Sequence, residues 1–118
     1  MLLGAAVREE ILFRLFALNF FTWIGMKAFR QQSATPFMIW TVNVFVALLF
    51  AWMHLIPAAA LLDLNSIATS GAVALATFAS ALLGWVYWRH GLLMAMFTHA
   101  VGGVLVYLGA HSLFAFLT

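Results

Sequence analysis

Three stretches of this chain, residues 31–62, 64–88 and 90–118, contain no Asp, Glu, Lys or Arg. Each is longer than the roughly 20 apolar residues that cross the hydrocarbon core of a bilayer. Charged residues make up 7% of the sequence, whereas a soluble domain needs about a quarter. A water-soluble globule is excluded. Unpaired backbone groups are not tolerated in lipid, so each stretch is read as a helix. The expected class is all-α: a polytopic membrane helix bundle of about four transmembrane helices, multi-pass, in an inner or plasma membrane of bacterial type.

The first helix is predicted over about Leu3–Phe29, followed by a polar turn from Lys27 to Pro36. A second runs over about Phe37–Ile56 and stops at Pro57, which lacks the N–H that continues a helical ladder. Residues 57–66 form a connection, and Ser66 is the expected N-cap of a third helix reaching Trp88. Arg89, His90 and Gly91 make a turn before a fourth helix, about Leu92–Phe116. Lys27, Arg30 and Arg89 put the first and third loops on the cytoplasmic side, although Arg8 at the opposite end counts against this. The 118 residues suit one domain, 1–118, with no room for a second. Residues 1–10 lack a basic segment followed by an apolar one, so no cleaved signal peptide is expected. The formal charge of +2 is too small and too scattered for a nucleic-acid partner. The partners implied are the lipid bilayer and a peptide or protein at it.

Ionisable side chains inside such helices cost about 2.5 to 3.5 kcal/mol each at the helix centre, and they usually mark function. Three groups stand out: Glu9-Glu10-Ile-Leu-Phe-Arg14, Phe50-Ala-Trp-Met-His54, and His99. Glu10 and Arg14 are four apart in the favourable acid-first order and can pair along one face. Glu9, about 100° further round, is left to point elsewhere. The bland alternative places both acids at a helix N-terminus, where the dipole favours them, but it leaves two buried histidines unexplained. Phe50 lies one turn before His54 on the same face. Asn19 can bond between helices, and His90 and His111 are read as interfacial. There is no cysteine and a single aspartate, Asp63. Thiol and two-aspartate chemistries are thereby excluded, and no His-Glu-x-x-His or Gly-x-Ser-x-Gly motif occurs. A carboxylate with histidines remains. Such a carboxylate can take a proton from water while an imidazole orients the water or stabilises an oxyanion.

These residues resemble the CPBP intramembrane proteases, which comprise prenyl-protein (CAAX) endopeptidases and bacteriocin-processing or Abi proteins. That family's pattern is Glu-Glu-x-x-x-Arg, then Phe-x-x-x-His, then His-x-x-x-Asn or Asp. Glu9, Glu10 and Arg14 match the first motif, Phe50 and His54 the second, and the run Gly91 to His99 leads into the third. The likeness covers roughly residues 5–108. It implies an intramembrane endopeptidase, of metallo or glutamic type, acting on membrane-associated and prenylated CAAX-like substrates. Glu9 would activate water with His54, while Glu10, Arg14 and Phe50 would support the site. His99 would stabilise the oxyanion or, if a metal takes part, join Glu9 and His54 as its ligands. The cofactor is therefore none or Zn²⁺, which the residues leave open.

Two departures matter. Gly103 stands where the third motif ends in Asn or Asp, and its expected role is close helix contact beside Gly102. Asn43, eleven residues before His54, is the candidate substitute. Family members also carry helices before the first motif, so a fragment, a minimal core or a degenerate copy is expected. A catalytically inactive relative acting as a scaffold or immunity protein is the alternative function, and a proton relay is a third. Helix geometry sets a further condition. Glu9 and His54 lie about 28 and 27 Å from the cytoplasmic turns, but His99 lies only about 12 Å away. They meet only if helices tilt or the first two project past the third turn. Projection is expected, with Lys27 to Ser33 extending the first helix.

Overall fold

Helices begin and end where local chemistry tells them to. The computed structural model describes residues 2–118. Its elements are α1 (Leu2–Glu10), a π-helical segment (Ile11–Leu18), α2 (Asn19–Ala28), α3 (Pro36–Leu61), α4 (Ser66–His90) and α5 (Leu92–Leu117). No strand occurs among the described residues. The first three elements run on as one rod, so four helices are long and apolar enough to span a membrane. The chain is an all-α, multi-pass membrane protein.

Two of the turns use the same C-terminal device. Arg30 and Asp63 take left-handed backbone conformations at φ 53° and 51°. Gln31 N–H donates to the Met26 carbonyl and Leu64 N–H to the Ala59 carbonyl, the long closing bond of a Schellman motif. This stops the first rod at Ala28, so it does not extend to Ser33. Thr35 caps α3 by accepting from Met38 N–H at 3.2 Å, with Pro36 in the first turn. The N-cap of α4 is Asn65, whose side chain accepts from Ala68 N–H at 2.8 Å, and not Ser66. Gly91, at φ +92°, supplies the turn between α4 and α5 that an L side chain would strain.

Pro57 does not end the second span, contrary to expectation: α3 continues to Leu61. A proline removes one ladder hydrogen bond, and a membrane span tolerates this where neighbouring helices and local adjustments re-satisfy the freed group. The connection to α4 shrinks to residues 62–65.

The π-helical segment is the other departure from a plain helix. Its i→i+5 bonding brings residues five apart onto one face. Phe13 and Leu18 are thus buried together and pack with Val46 of α3, flanked by Val42, Phe50 and Tyr87. The same face carries the buried Arg14. Most other large apolar side chains point outward, as expected when lipid is the solvent.

Polar contacts fix the helices at different heights. Asn19 donates to the Tyr87 hydroxyl at 2.8 Å. Beyond that level α2 carries six more residues than α4 before each ends, about 9 Å of helix. The Asn43 amide donates to the Ala81 carbonyl at 2.9 Å, and it sits where a side chain on Gly84 would collide with it. That glycine is what lets α3 and α4 approach. No side chain of the described structure lies within 4 Å of where a Cβ on Gly102 or Gly103 would stand, so the helix contact expected there is absent.

Candidate active site

The junction of α1 and the π segment faces α3, α4 and α5, and the ionisable groups converge there. Glu10 is fully buried, 0% exposed, and Arg14 is 1% exposed. Arg14 Nε lies 3.3 Å from Glu10 Oε2, the acid-first pair expected from the spacing. Its Nη2 donates to both the carbonyl and, at 2.7 Å, the hydroxyl of Ser80 on α4. The guanidinium also stands 5.8 Å from the centroid of the Phe50 ring. A buried charge is tolerated only when paired and hydrogen-bonded; the ion pair with Glu10 and the two Nη2 bonds supply this, while Arg14 Nη1 and Glu10 Oε2 have no hydrogen-bond partner among the described residues.

Glu10 uses its other oxygen on α5. His99 Nδ1 is 2.8 Å from Glu10 Oε1. An ionised carboxylate only accepts, so Nδ1 is the protonated nitrogen and Nε2 is turned the other way. That nitrogen lies 3.5 Å from Glu9 Oε2. His54 is oriented by the same logic. Its Nδ1 lies 2.8 Å from the Phe50 carbonyl, which can only accept, and its Nε2 lies 3.4 Å from Glu9 Oε1. Phe50 also stacks on the imidazole, with centroids 4.5 Å apart.

Glu9 thus stands between two imidazoles, each fixed from behind by a hydrogen bond at Nδ1. It is partly open, with 25% of its side chain exposed, whereas Glu10 one position on is sealed. Beside it a cavity of about 500 Å³ is lined by Arg8, Glu9, Leu12, Phe13, Met53 and His54. A small peptide-sized ligand fits the roughly 300 to 1,000 Å³ typical of such pockets.

Six of the residues singled out from sequence, Glu9, Glu10, Arg14, Phe50, His54 and His99, therefore come together. Asn43 does not. Its amide is engaged between α3 and α4, about 16 Å along the helix from His54. The residue that sequence reasoning missed is Ser80, 1% exposed and bonded to Arg14. Its only sequence signal is the four-residue step to Gly84, which puts two small residues on one face of α4.

The fit of a metal ion can be tested on the donors themselves. Among the described residues no three acids or histidines converge as ligands. The two oxygens of Glu9 face different imidazoles, each Nε2 meeting its own oxygen and not a common point; the engaged Nδ1 atoms suit a metal-bound and a metal-free imidazole equally. Among the described residues the donor set does not form a metal site in this arrangement.

The family model for type II CAAX prenyl endopeptidases, Rce1-like, matches residues 1–105. The chain belongs to that family. No curated protein and no solved structure matches it. Membership in the Rce1-like family implies a CAAX-type intramembrane endopeptidase, and the matched segment contains every residue of the converging site. It also contains Gly103, so the missing side chain of the third motif lies inside the matched region.

Proposed function

We propose that the protein hydrolyses a peptide bond of a membrane-tethered, prenylated CAAX-like substrate, using water activated by Glu9 and His54. The observation that carries this reading is Glu9 itself: a partly open carboxylate, 3.4 Å from one imidazole nitrogen and 3.5 Å from another, at the edge of a cavity. Neutral His54 presents a lone pair at Nε2, and the Glu9 carboxylate presents only acceptors. Both can accept from a water bound on the cavity side of the pair, which is the arrangement a general base needs.

Glu9 takes one proton as the water oxygen bonds to the scissile carbonyl carbon. The oxyanion so formed is met by His99, which as an imidazolium donates from Nδ1 to Glu10 and offers Nε2–H to the reacting centre. The protonated Glu9, the Glu10 carboxylate, the Arg14 and His99 cations and the new oxyanion then sum to zero, which suits a site with little water. Collapse breaks the C–N bond, and the proton held by Glu9 passes to the departing amine. Glu10, Arg14 and Ser80 act at a distance from the substrate, holding His99 in one orientation.

The test is cleavage of a farnesylated peptide by the purified protein in detergent or proteoliposomes, with products weighed by mass spectrometry. Hydrolysis between the prenylated residue and the next, unaffected by exhaustive chelation, is the expected result. Activity that disappears on chelation and returns with Zn²⁺ would overturn the water-and-carboxylate mechanism. No cleavage of any membrane-tethered peptide, with a partner chain that co-purifies, would favour an inactive scaffold or immunity protein. The absent side chain at Gly103 is the observation that keeps this second reading open.

A further inference from the structure

The wall of the cavity beside Glu9 carries a charge that the mechanism does not use. Arg8 lies inside the first span, Leu3–Ala28, and lines the cavity with Leu12, Phe13 and Met53. Among the described residues it has no ion-pair or hydrogen-bond partner, although Glu9 is its neighbour in sequence. The contrast with Arg14 is informative. One arginine is sealed by a carboxylate, a hydroxyl and a carbonyl, whereas the other is left open on the substrate side. An unpaired cation in an apolar span is costly and is by default a candidate for function.

We propose that Arg8 binds the C-terminal carboxylate of the substrate and so sets the enzyme's preference for a bond three residues from a free chain end. This rests on the endopeptidase reading above. A CAAX sequence ends with two aliphatic residues and a final one after the modified cysteine. Three extended residues span about 10 Å, which places their carboxylate within reach of an arginine anchored one residue from Glu9. Leu12, Phe13 and Met53 supply apolar walls for the aliphatic pair between the reacting bond and the chain end. Arginine also matches a carboxylate geometrically, since its planar fork donates two parallel hydrogen bonds.

The experiment separates this claim from catalysis by measuring binding. The probe is a farnesylated Cys-a-a-X peptide with a reduced, uncleavable scissile bond, made as the free acid and as the C-terminal amide. The full-length protein in zwitterionic nanodiscs should bind the acid about ten-fold to a hundred-fold more tightly than the amide, as expected for a charge-assisted bond. Arg8→Gln should abolish that discrimination, and Arg8→Lys should keep part of it. Arg8 is exposed, and helicity and melting of both variants check the fold. Equal binding of acid and amide by the parent, or undiminished discrimination in Arg8→Gln, would overturn the assignment. So would an effect of Arg8→Gln seen only as lost affinity for anionic vesicles, because the occupant would then be a lipid headgroup. A chain that binds the probe with this preference but cuts nothing would sink the endopeptidase reading and leave only the carboxylate site at Arg8 standing.

Discussion

Glu10→Gln isolates the charge at the centre of the buried network, because glutamine has nearly the same shape as glutamate. Glu10 is fully buried and is the near carboxylate of Arg14, which is itself 1% exposed. Neutralising it leaves the guanidinium with the Ser80 oxygens as its remaining partners. Removing one member of a buried ion pair costs about 3 to 5 kcal/mol, because the other charge remains uncompensated. The bond from His99 Nδ1 also falls from the charged class, about 1.5 to 3 kcal/mol, to the neutral class, about 0.5 to 1.5. The two losses share a residue and are not additive, so the expected total stays near the upper part of the 3 to 5 range. Equilibrium unfolding in mixed micelles, followed by circular dichroism, reads this directly. Adding Arg14→Met should recover much of the loss, since replacing both partners of a buried pair by apolar groups is often neutral or stabilising. A Glu10→Gln variant within about 1 kcal/mol of the parent, well below the cost of a broken buried pair, would refute the ion-pair account. So would a double variant no more stable than the single one.

Gly84→Ala should destabilise the bundle by about 1 to 3 kcal/mol, the usual cost of overpacking. Its new methyl meets the Asn43 amide, and Asn43→Ala in the same chain should return part of the loss in the same unfolding assay. Gly103→Asn should fold as well as the parent, since a Cβ there meets nothing within 4 Å. It should raise the cleavage rate by up to about 10² to 10³ if a donor is missing from the oxyanion site. A folded Gly103→Asn variant with unchanged turnover would mean that no such donor is lacking.

Local spacing made much of this molecule legible in its sequence. Glu10 and Arg14 are one turn apart, as are Phe50 and His54, and both pairs form within their own segments. Long uncharged runs dictated four spans. The convergence of His99 with Glu9 was legible only as a motif, because it depends on how α5 sits against α1. What stayed hidden depends on tertiary contact. Ser80 is an ordinary serine until Arg14 is brought against it. The wide turn at Ile11–Leu18 follows from packing Phe13 and Leu18 on the same neighbours, and no residue in that segment demands it. Pro57 reads as a stop under local rules, yet α3 passes through it. Asn43 has the right register for the site, but the gap above Gly84 gave it a different partner.

The central claim is that Glu9 and His54 together activate the attacking water, and turnover by conservative variants at those two positions tests it most directly. Glu9→Gln keeps the shape and removes the base; His54→Ala removes the imidazole that shares the water. Single-turnover cleavage of the farnesylated peptide should slow by about 10² to 10⁴ in each variant, the usual worth of a general base. Unfolding midpoints should stay close to the parent's, because Glu9 is partly open and His54 is exposed. Cleavage at the parent's rate by either folded variant would contradict the mechanism.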